Sequence, residues 1–332
     1  MFVSMSTITA PSRSREGAAR GSAKTGWKLR RSGGLQILEA APFARLDWLV
    51  HAFSTRGGGA SELDSRHRAG TLRGTRRKPQ ASECVLNLGF ADCDERERVR
   101  DNREKFFHAI GATDLRAMTL RQIHSDIPHR VETPLAKSTD PAQGDALFTR
   151  ERGILLAVQT ADCVPILLAD TRLHAVAAIH AGWRGTLRRI AAKTLGRMQM
   201  DFGTHPEDVI AALGPSIGRC CYEVGEEVAR EFNAQFPNAR EWFEGPFETL
   251  ASGENDPNWL PWLTMKPPGH APPPLRVNLD LIAANRAILA EAGVPVARIF
   301  SSDLCTACRT DLFFSYRREQ ATGRMMAVVG IR

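Results

Sequence analysis

Residues 153–186 read GILLAVQTADCVPILLADTRLHAVAAIHAGWRGT. Three apolar runs lie inside this stretch, Ile154–Val158, Val164–Ala169 and Ala175–Ile179. Each is too short for an independent helix and carries enough β-branched residues to form a strand buried on both faces. A helix is expected from Gly185-Thr186, with Thr186 as its N-cap and Leu187, Ile190, Ala191 and Leu195 on one face. His180 then sits at a strand end just before a glycine-rich turn, where a side chain leaves the core for a cleft. Cys163 lies between the first two runs. Pro165, two residues later, lacks an amide proton and predicts an edge strand or a bulge.

Working outward, the chain of 332 residues has room for one large domain or two small ones, and its 43% hydrophobic and 24% charged residues are ordinary for a globular protein. No apolar run reaches the roughly 18 residues that a membrane helix needs. The net charge of +7 is concentrated in two segments. Residues 1–34 hold seven Lys/Arg against one acid, and residues 60–81 hold six against two, which leaves the rest of the chain slightly acidic. That distribution describes solvated arms around an acidic body, so no nucleic-acid partner is expected. Seven cysteines make an odd number, and in a long chain they suggest no disulfide framework. A cytoplasmic setting follows as the default, where a well-placed Cys binds metal or reacts. The first 30 residues have the Arg, Ser and Ala content of an organelle transit peptide, which also fits an upstream start codon with Met5 as a second start, but a disordered tail is the preferred reading.

The fold is expected to begin near Leu35, where QILEA and WLVHAFSTRGGG predict a strand pair ending in a glycine-rich loop. Arg56 with Gly57, Gly58 and Gly59 can bring a guanidinium and backbone amides to one anion, although a tight turn gives the same pattern. Residues 60–82 have the composition of a mobile insertion. DERERVRDNREKFFHAIG predicts a helix that buries Val99, Phe106, Phe107 and Ile110 and stops at Gly111. MTLRQIHSDI predicts a strand with Leu120, Gln122 and His124 on one face. VIAALGPSIGRCCYEV predicts a strand broken at Gly214-Pro215 and a helix from about Val224. Adjacent Cys220 and Cys221 cannot both face one ion from a regular strand and are read as packing residues. Residues 237–275 have the Pro and Trp content of an irregular surface excursion. A helix over NLDLIAANRAILAEAGV takes Asn278 as N-cap and Gly293 as stop. FFSYRREQATGRMMAVVGI predicts a hairpin of an aromatic and an apolar strand.

The strings RQIH at 121–124, GDALFT at 144–149, TADCVPILL at 160–168 and AIHAGWRG at 178–185 now combine with LGPSIGRCCYEV, VNLD, FFSYRRE and TGR further on. In this order they resemble the bacterial family variously called laccase-domain, polyphenol oxidase or peptidoglycan editing factor, which has a human relative that is a purine nucleoside enzyme. The resemblance covers about 35–332. It implies an α+β fold, a single-domain sandwich of mixed β-sheets flanked by α-helices. It also implies one metal site made by a His, a Cys and a His, which here are His124, Cys163 and His180. The basic segment 1–34, the insertion at 60–82 and the stretch 237–275 depart from the family pattern.

The residue chemistry agrees with this. Two imidazoles and a thiolate suit Zn²⁺ or copper (Cu²⁺) and leave a fourth tetrahedral position open, the layout of a catalytic ion. Zinc in such a site brings the pKa of water down to about 7. The activities the resemblance implies are phosphorolysis of adenosine, inosine and methylthioadenosine to the base and ribose 1-phosphate, and deamination of adenosine to inosine. Arg56 and Arg317 are the candidates for holding phosphate. Asp145, after the turn glycine Gly144, is a candidate proton donor or orienter of His124 or His180. A nucleoside and phosphate are thus the expected partners, with no membrane and with a monomer or weak homodimer.

Three rivals are weighed. A multicopper laccase needs about ten His ligands, commonly in His-x-His pairs, whereas this chain has nine His and no such pair; an oxidase would need a single copper at the same trio. A cysteine hydrolase editing peptidoglycan precursors would use Cys163 as nucleophile and His180 or His124 as base. A non-catalytic binding module would use the same trio as a structural zinc, although such sites normally carry four protein ligands; Cys305 and Cys308 in CTAC offer a separate CxxC half-site without a second CxxC.

Overall fold

The computed structural model describes residues 26–63, 84–90, 94–132, 141–245 and 276–332. Most of the basic extension, of the insertion expected at 60–82 and of the Pro/Trp-rich stretch falls outside these residues. The first strands in chain order are β1 Trp27–Ser32, β2 Leu35–Ala40, β3 Leu49–Ser54, β4 Gly57–Ser61, β5 Arg116–Met118, β6 Pro128–Arg130 and β7 Ala146–Thr149. The quoted block supplies β8 Ile154–Thr160, β9 Val164–Asp170 and β10 Ala175–Ala181, followed by β11 Val209–Leu213, β12 Glu223–Gly225 and β13 Phe243–Glu244. Strands β14 Arg276–Leu279, β15 Ile299–Ser301 and β16 Met325–Ile331 complete the set. The helices discussed below are α1 Arg96–Ala109, α2 Trp183–Leu187, α3 Ile190–Phe202, α4 Glu226–Gln235 and α5 Leu281–Glu291.

Two six-stranded sheets form, in the orders β1-β2-β3-β16-β8-β5 and β15-β11-β9-β10-β7-β6, with a small third sheet β12-β14-β13. Both large sheets are mixed, because β5 runs parallel to β8, β6 to β7 and β15 to β11. Successive side chains of a strand point to opposite faces, and the apolar residues divide accordingly. Leu156, Val158, Ala327 and Val329 of the first sheet meet Leu167, Ala169, Val176 and Ala178 of the second in the central layer. The other face of the first sheet, including Leu155 and Val328, packs on Phe106 and Ala109 of α1. The other face of the second, including Ile166 and Ala177, packs on α3, α4 and α5 through Leu195, Phe232 and Leu289. This is the α+β sandwich of mixed sheets flanked by helices that the family resemblance implies. Among the described residues no helix is long and apolar enough to cross a membrane.

Several local expectations are corrected. Trp27–Ser32, assigned to the extension by its charge, instead pairs with Leu35–Ala40 as an edge strand. Pro165 lies in β9, between β10 and β11 and not at an edge. A residue's amide and carbonyl point to the same side of an antiparallel strand. Pro165 uses its carbonyl to accept from Gly214 (2.8 Å), so its missing N–H faces the point where β11 has ended. Thr186 is no N-cap, since Gly182 precedes α2, and the buried Thr186 hydroxyl accepts from Asn285 Nδ2 at 2.9 Å. The cap of α5 is Asp280, accepting from the Ala283 amide at 2.8 Å, because Asn278 is still in β14. The helix expected from Val224 begins at Glu226. The C-terminal hairpin does not form, as β16 pairs with β3 and β8. Phe313 and Phe314 are buried beside Val85 and Met325 in a loop that leads into the short helix Tyr316–Glu319.

Candidate metal centre

Asp145 opens β7 and is completely buried. A carboxylate taken from water must find donors, and it finds five. The amides of Ile123, His124 and Ser125 and the Ser125 hydroxyl donate to it at 2.6–3.2 Å. His180 Nδ1 lies 2.8 Å from Asp145 Oδ1. Burial opposes this charge, but the hydrogen bonds from His180 and Ser125 win and bring the carboxyl down to about 2. Asp145 is therefore an orienter. It bends 123–125 into a turn, with His124 in the left-handed region at φ 57°, and it fixes the His180 ring. The strand expected over 118–127 accordingly does not form, and β5 ends at Met118.

His180 projects from the end of β10 on the inter-sheet parity of Val176 and Ala178, and Asp145 engages its Nδ1, leaving Nε2 for other work. Cys163 precedes β9, and its Sγ lies 3.9 Å from His124 Nε2. The three ligand atoms of His124, Cys163 and His180 all lie within 4.8 Å of one another. Bonds of about 2.0–2.3 Å to one tetrahedral ion put donors roughly 3.3–3.8 Å apart, so small side-chain adjustments would let this donor set close on an ion. His124 is exposed, Cys163 half-buried and His180 buried, so the cluster faces solvent from one side. Gly182 keeps that space open, since a Cβ there would stand 3.0 Å from both Cys163 Sγ and His124 Cδ2.

The electrostatics couple the trio. Burial would raise the Cys163 thiol, but the His180 charge and hydrogen bonds from both imidazoles lower it to about 6. Burial would likewise lower His180, yet the Cys163 thiolate and Asp145 raise it to about 9. Both shifts favour a Cys163 thiolate facing a His180 imidazolium, and the thiolate is the form in which Cys binds a metal.

Arg56 does not join this group. Its guanidinium is buried, donates to the carbonyls of Thr310 (2.8 Å) and Phe313 (3.3 Å) and to Glu319 Oε1 (2.8 Å), and lies over the Phe314 ring. Gly58 and Gly59 serve close packing, because a Cβ would come within 2.7 Å of the Gly34 carbonyl on the first and 2.2 Å of the Val85 carbonyl on the second. Arg56 therefore clamps the C-terminal loop and is not available to phosphate. Arg317 is better placed. Its amide donates to Asp162, next to Cys163, at 2.7 Å, and its exposed guanidinium lies over Tyr222. Burial raises the Tyr222 hydroxyl first and the Cys163 charge raises it further, while Arg317 and Arg184 act in the opposite sense. Tyr222, Arg184 and Asp162 thus belong to the surroundings of the cluster and escaped the sequence reading. The signal for Asp162 and Arg184 was available in TADC and HAGWRG, where they lie close to Cys163 and His180, whereas nothing local pointed to Tyr222.

An α+β sandwich with a His/Cys/His cluster open on one side defines a class of protein. A family model described as multi-copper polyphenol oxidoreductase laccase matches residues 50–332, and the chain belongs to that family. A relative from Deinococcus radiodurans, named purine nucleoside phosphorylase, is 36% identical over 302 residues, covering 90% of this chain and 94% of its own. Adenosine deaminase RL5, from an unknown prokaryotic organism, is 40% identical over 174 residues, 52% of this chain and 56% of its own. The crystal structure of YlmD from Geobacillus stearothermophilus superposes with a TM-score of 0.69 at 30% identity, covering 92% of this chain and 98% of that one.

Proposed function

We propose that this protein is a metal-dependent purine nucleoside enzyme, which cleaves adenosine, inosine and methylthioadenosine with phosphate and also deaminates adenosine to inosine. The single observation that carries the reading is the convergence of His124, Cys163 and His180, in a chain whose full-length relative is named for nucleoside phosphorolysis. These residues would hold Zn²⁺ or copper, and the bound ion would supply Lewis acidity and acidified water. In phosphorolysis a phosphate oxygen forms the bond to C1′ as the C1′–N9 bond breaks, and the electron pair leaves with the purine, which takes up a proton. Arg317 is the residue we assign to the phosphate, because a guanidinium matches its oxygens and this one sits exposed beside Tyr222. In deamination water adds at C6 and ammonia departs. Asp145 contributes by fixing the His180 ring and the His124 turn, and its low pKa removes it as a proton donor near neutral pH. Tyr222 would supply an aromatic face beside Arg317, its hydroxyl kept protonated by burial and by the Cys163 charge.

The Cys163 and His180 charge pair also favours a second reading, a cysteine hydrolase acting on an amide of a peptidoglycan precursor. Product analysis with adenosine, with and without phosphate, separates the two. Ribose 1-phosphate formed only with phosphate, inosine formed without it, and loss of both in Cys163→Ala are expected. Metal-loaded protein that forms neither product would overturn the nucleoside reading, and amide cleavage that survives complete chelation would establish the thiol scheme.

A further inference from the structure

Of the six cysteines outside the trio, four come together in the fold. Cys220 and Cys221 occupy a turn, not a strand, with the amides of Cys221 and Tyr222 both donating to the Gly218 carbonyl at 2.9 and 3.0 Å. A turn can aim adjacent side chains at one point, which a strand cannot. Cys305 and Cys308 lie in a second turn, closed by Arg309 N donating to the Cys305 carbonyl at 3.0 Å, and Ser216 and Cys305 form a parallel bridge that ties the two turns together. The four sulfurs all lie within 4.8 Å of one another, with Cys220 and Cys221 at 3.5 and 3.4 Å from Cys308.

A tetrahedral ion with metal–sulfur bonds of about 2.3 Å spaces its sulfurs by roughly 3.8 Å. A disulfide needs about 2.05 Å, so the observed separations are those of a donor set and not of a bridge. The surroundings suit thiolate charge. Gly218 N donates to Cys305 Sγ at 3.2 Å and Arg318 Nη2 to Cys221 Sγ at 3.4 Å. We infer that Cys220, Cys221, Cys305 and Cys308 form a second metal site, a closed tetrathiolate site for one Zn²⁺. Four sulfurs in a tetrahedral arrangement select zinc or iron–sulfur centres, and sulfurs all held this close favour a single ion over a cluster of several irons. With no open position the ion is structural.

Its location gives it a purpose. Tyr222 follows Cys221, and Thr306, between the two C-terminal cysteines, donates its hydroxyl to Asp162 Oδ1 at 2.6 Å. The ion would pin both loops against the residue preceding Cys163.

Metal content of the full chain, purified under reducing conditions, tests this. Two zincs per chain are expected, falling to one in a Cys305→Ser/Cys308→Ser variant and to one in Cys163→Ala/His180→Ala. X-ray absorption of the second variant reads the remaining ion directly and does not depend on the first variant folding, with four sulfur neighbours expected. A Cys163→Ala/His180→Ala variant that retains no zinc, a first coordination sphere of nitrogen or oxygen in that variant, iron in place of zinc, or a protein two hydrogens lighter with 220 or 221 bridged to 305 or 308 would each overturn the inference.

Discussion

The two thiol-bearing clusters are built in opposite ways. The trio draws its ligands from a turn, a loop and a strand end in three separate parts of the chain, and a completely buried carboxylate with five donors around it holds two of them in place. The tetrad is two turns face to face, with two of its four cysteines exposed and with the Gly218 amide and the Arg318 guanidinium on its sulfurs. A buried carboxylate thus orients the trio, whereas the tetrad is aligned by its own turns and the bridge between them. One arrangement leaves an open coordination position and the other uses up all four.

The contrast can be broken most directly at the ligands. Cys163→Ala should reduce nucleoside turnover by about 10³-fold or more, within the range over which single catalytic groups act, with circular dichroism unchanged. A variant that keeps wild-type kcat/KM would put the chemistry elsewhere. Asp145→Asn tests pre-orientation. It should weaken metal affinity or activity by about 10–100-fold, as loss of a group behind a metal-ligating His does, and unchanged zinc affinity would show that the trio, like the tetrad, needs no carboxylate.

Acid separates ligand protonation from a third site. Burial lowers the His51 pKa from 6.5 to about 4, where its ring accepts from the Ala40 amide at 3.0 Å. The native state thus favours neutral His51, so its stabilising contribution is complete above about pH 6.5 and lost as the pH falls toward 4. The loss amounts to at most about 3 kcal/mol. Urea denaturation across this window should show it in metal-free protein, and His51→Gln should flatten it; an equal slope in both proteins would assign the loss elsewhere. The smallest effect is expected from Gly182→Ala. Its methyl group crowds Cys163 and His124 and should weaken zinc binding by about tenfold, roughly 1.4 kcal/mol, without altering zinc held by the tetrad.

Much of this was legible in the sequence where the signal was local. The runs in 153–186 became strands β8, β9 and β10 because nothing else buries short apolar segments so fully. His124, Cys163 and His180 were named through motifs, and the structure brings them together. Illegible were features decided across long separations. Cys220 and Cys308 lie 88 positions apart, so no spacing rule links them. Arg56 was matched to an anion by its glycines, whereas Glu319, 263 positions away, claims it. Pro165 read as an edge residue because the end of its neighbouring strand at Leu213 cannot be seen from position 165.

The place of β16 has a consequence for how the chain is made. This strand follows every other in sequence, yet it lies between β3 and β8. Until it emerges from the ribosome, two half-sheets wait with exposed seams, each a template for pairing with another chain. Contacts of such long range also form slowly. Deleting Met325–Ile331 should therefore yield insoluble protein rather than a smaller folded one.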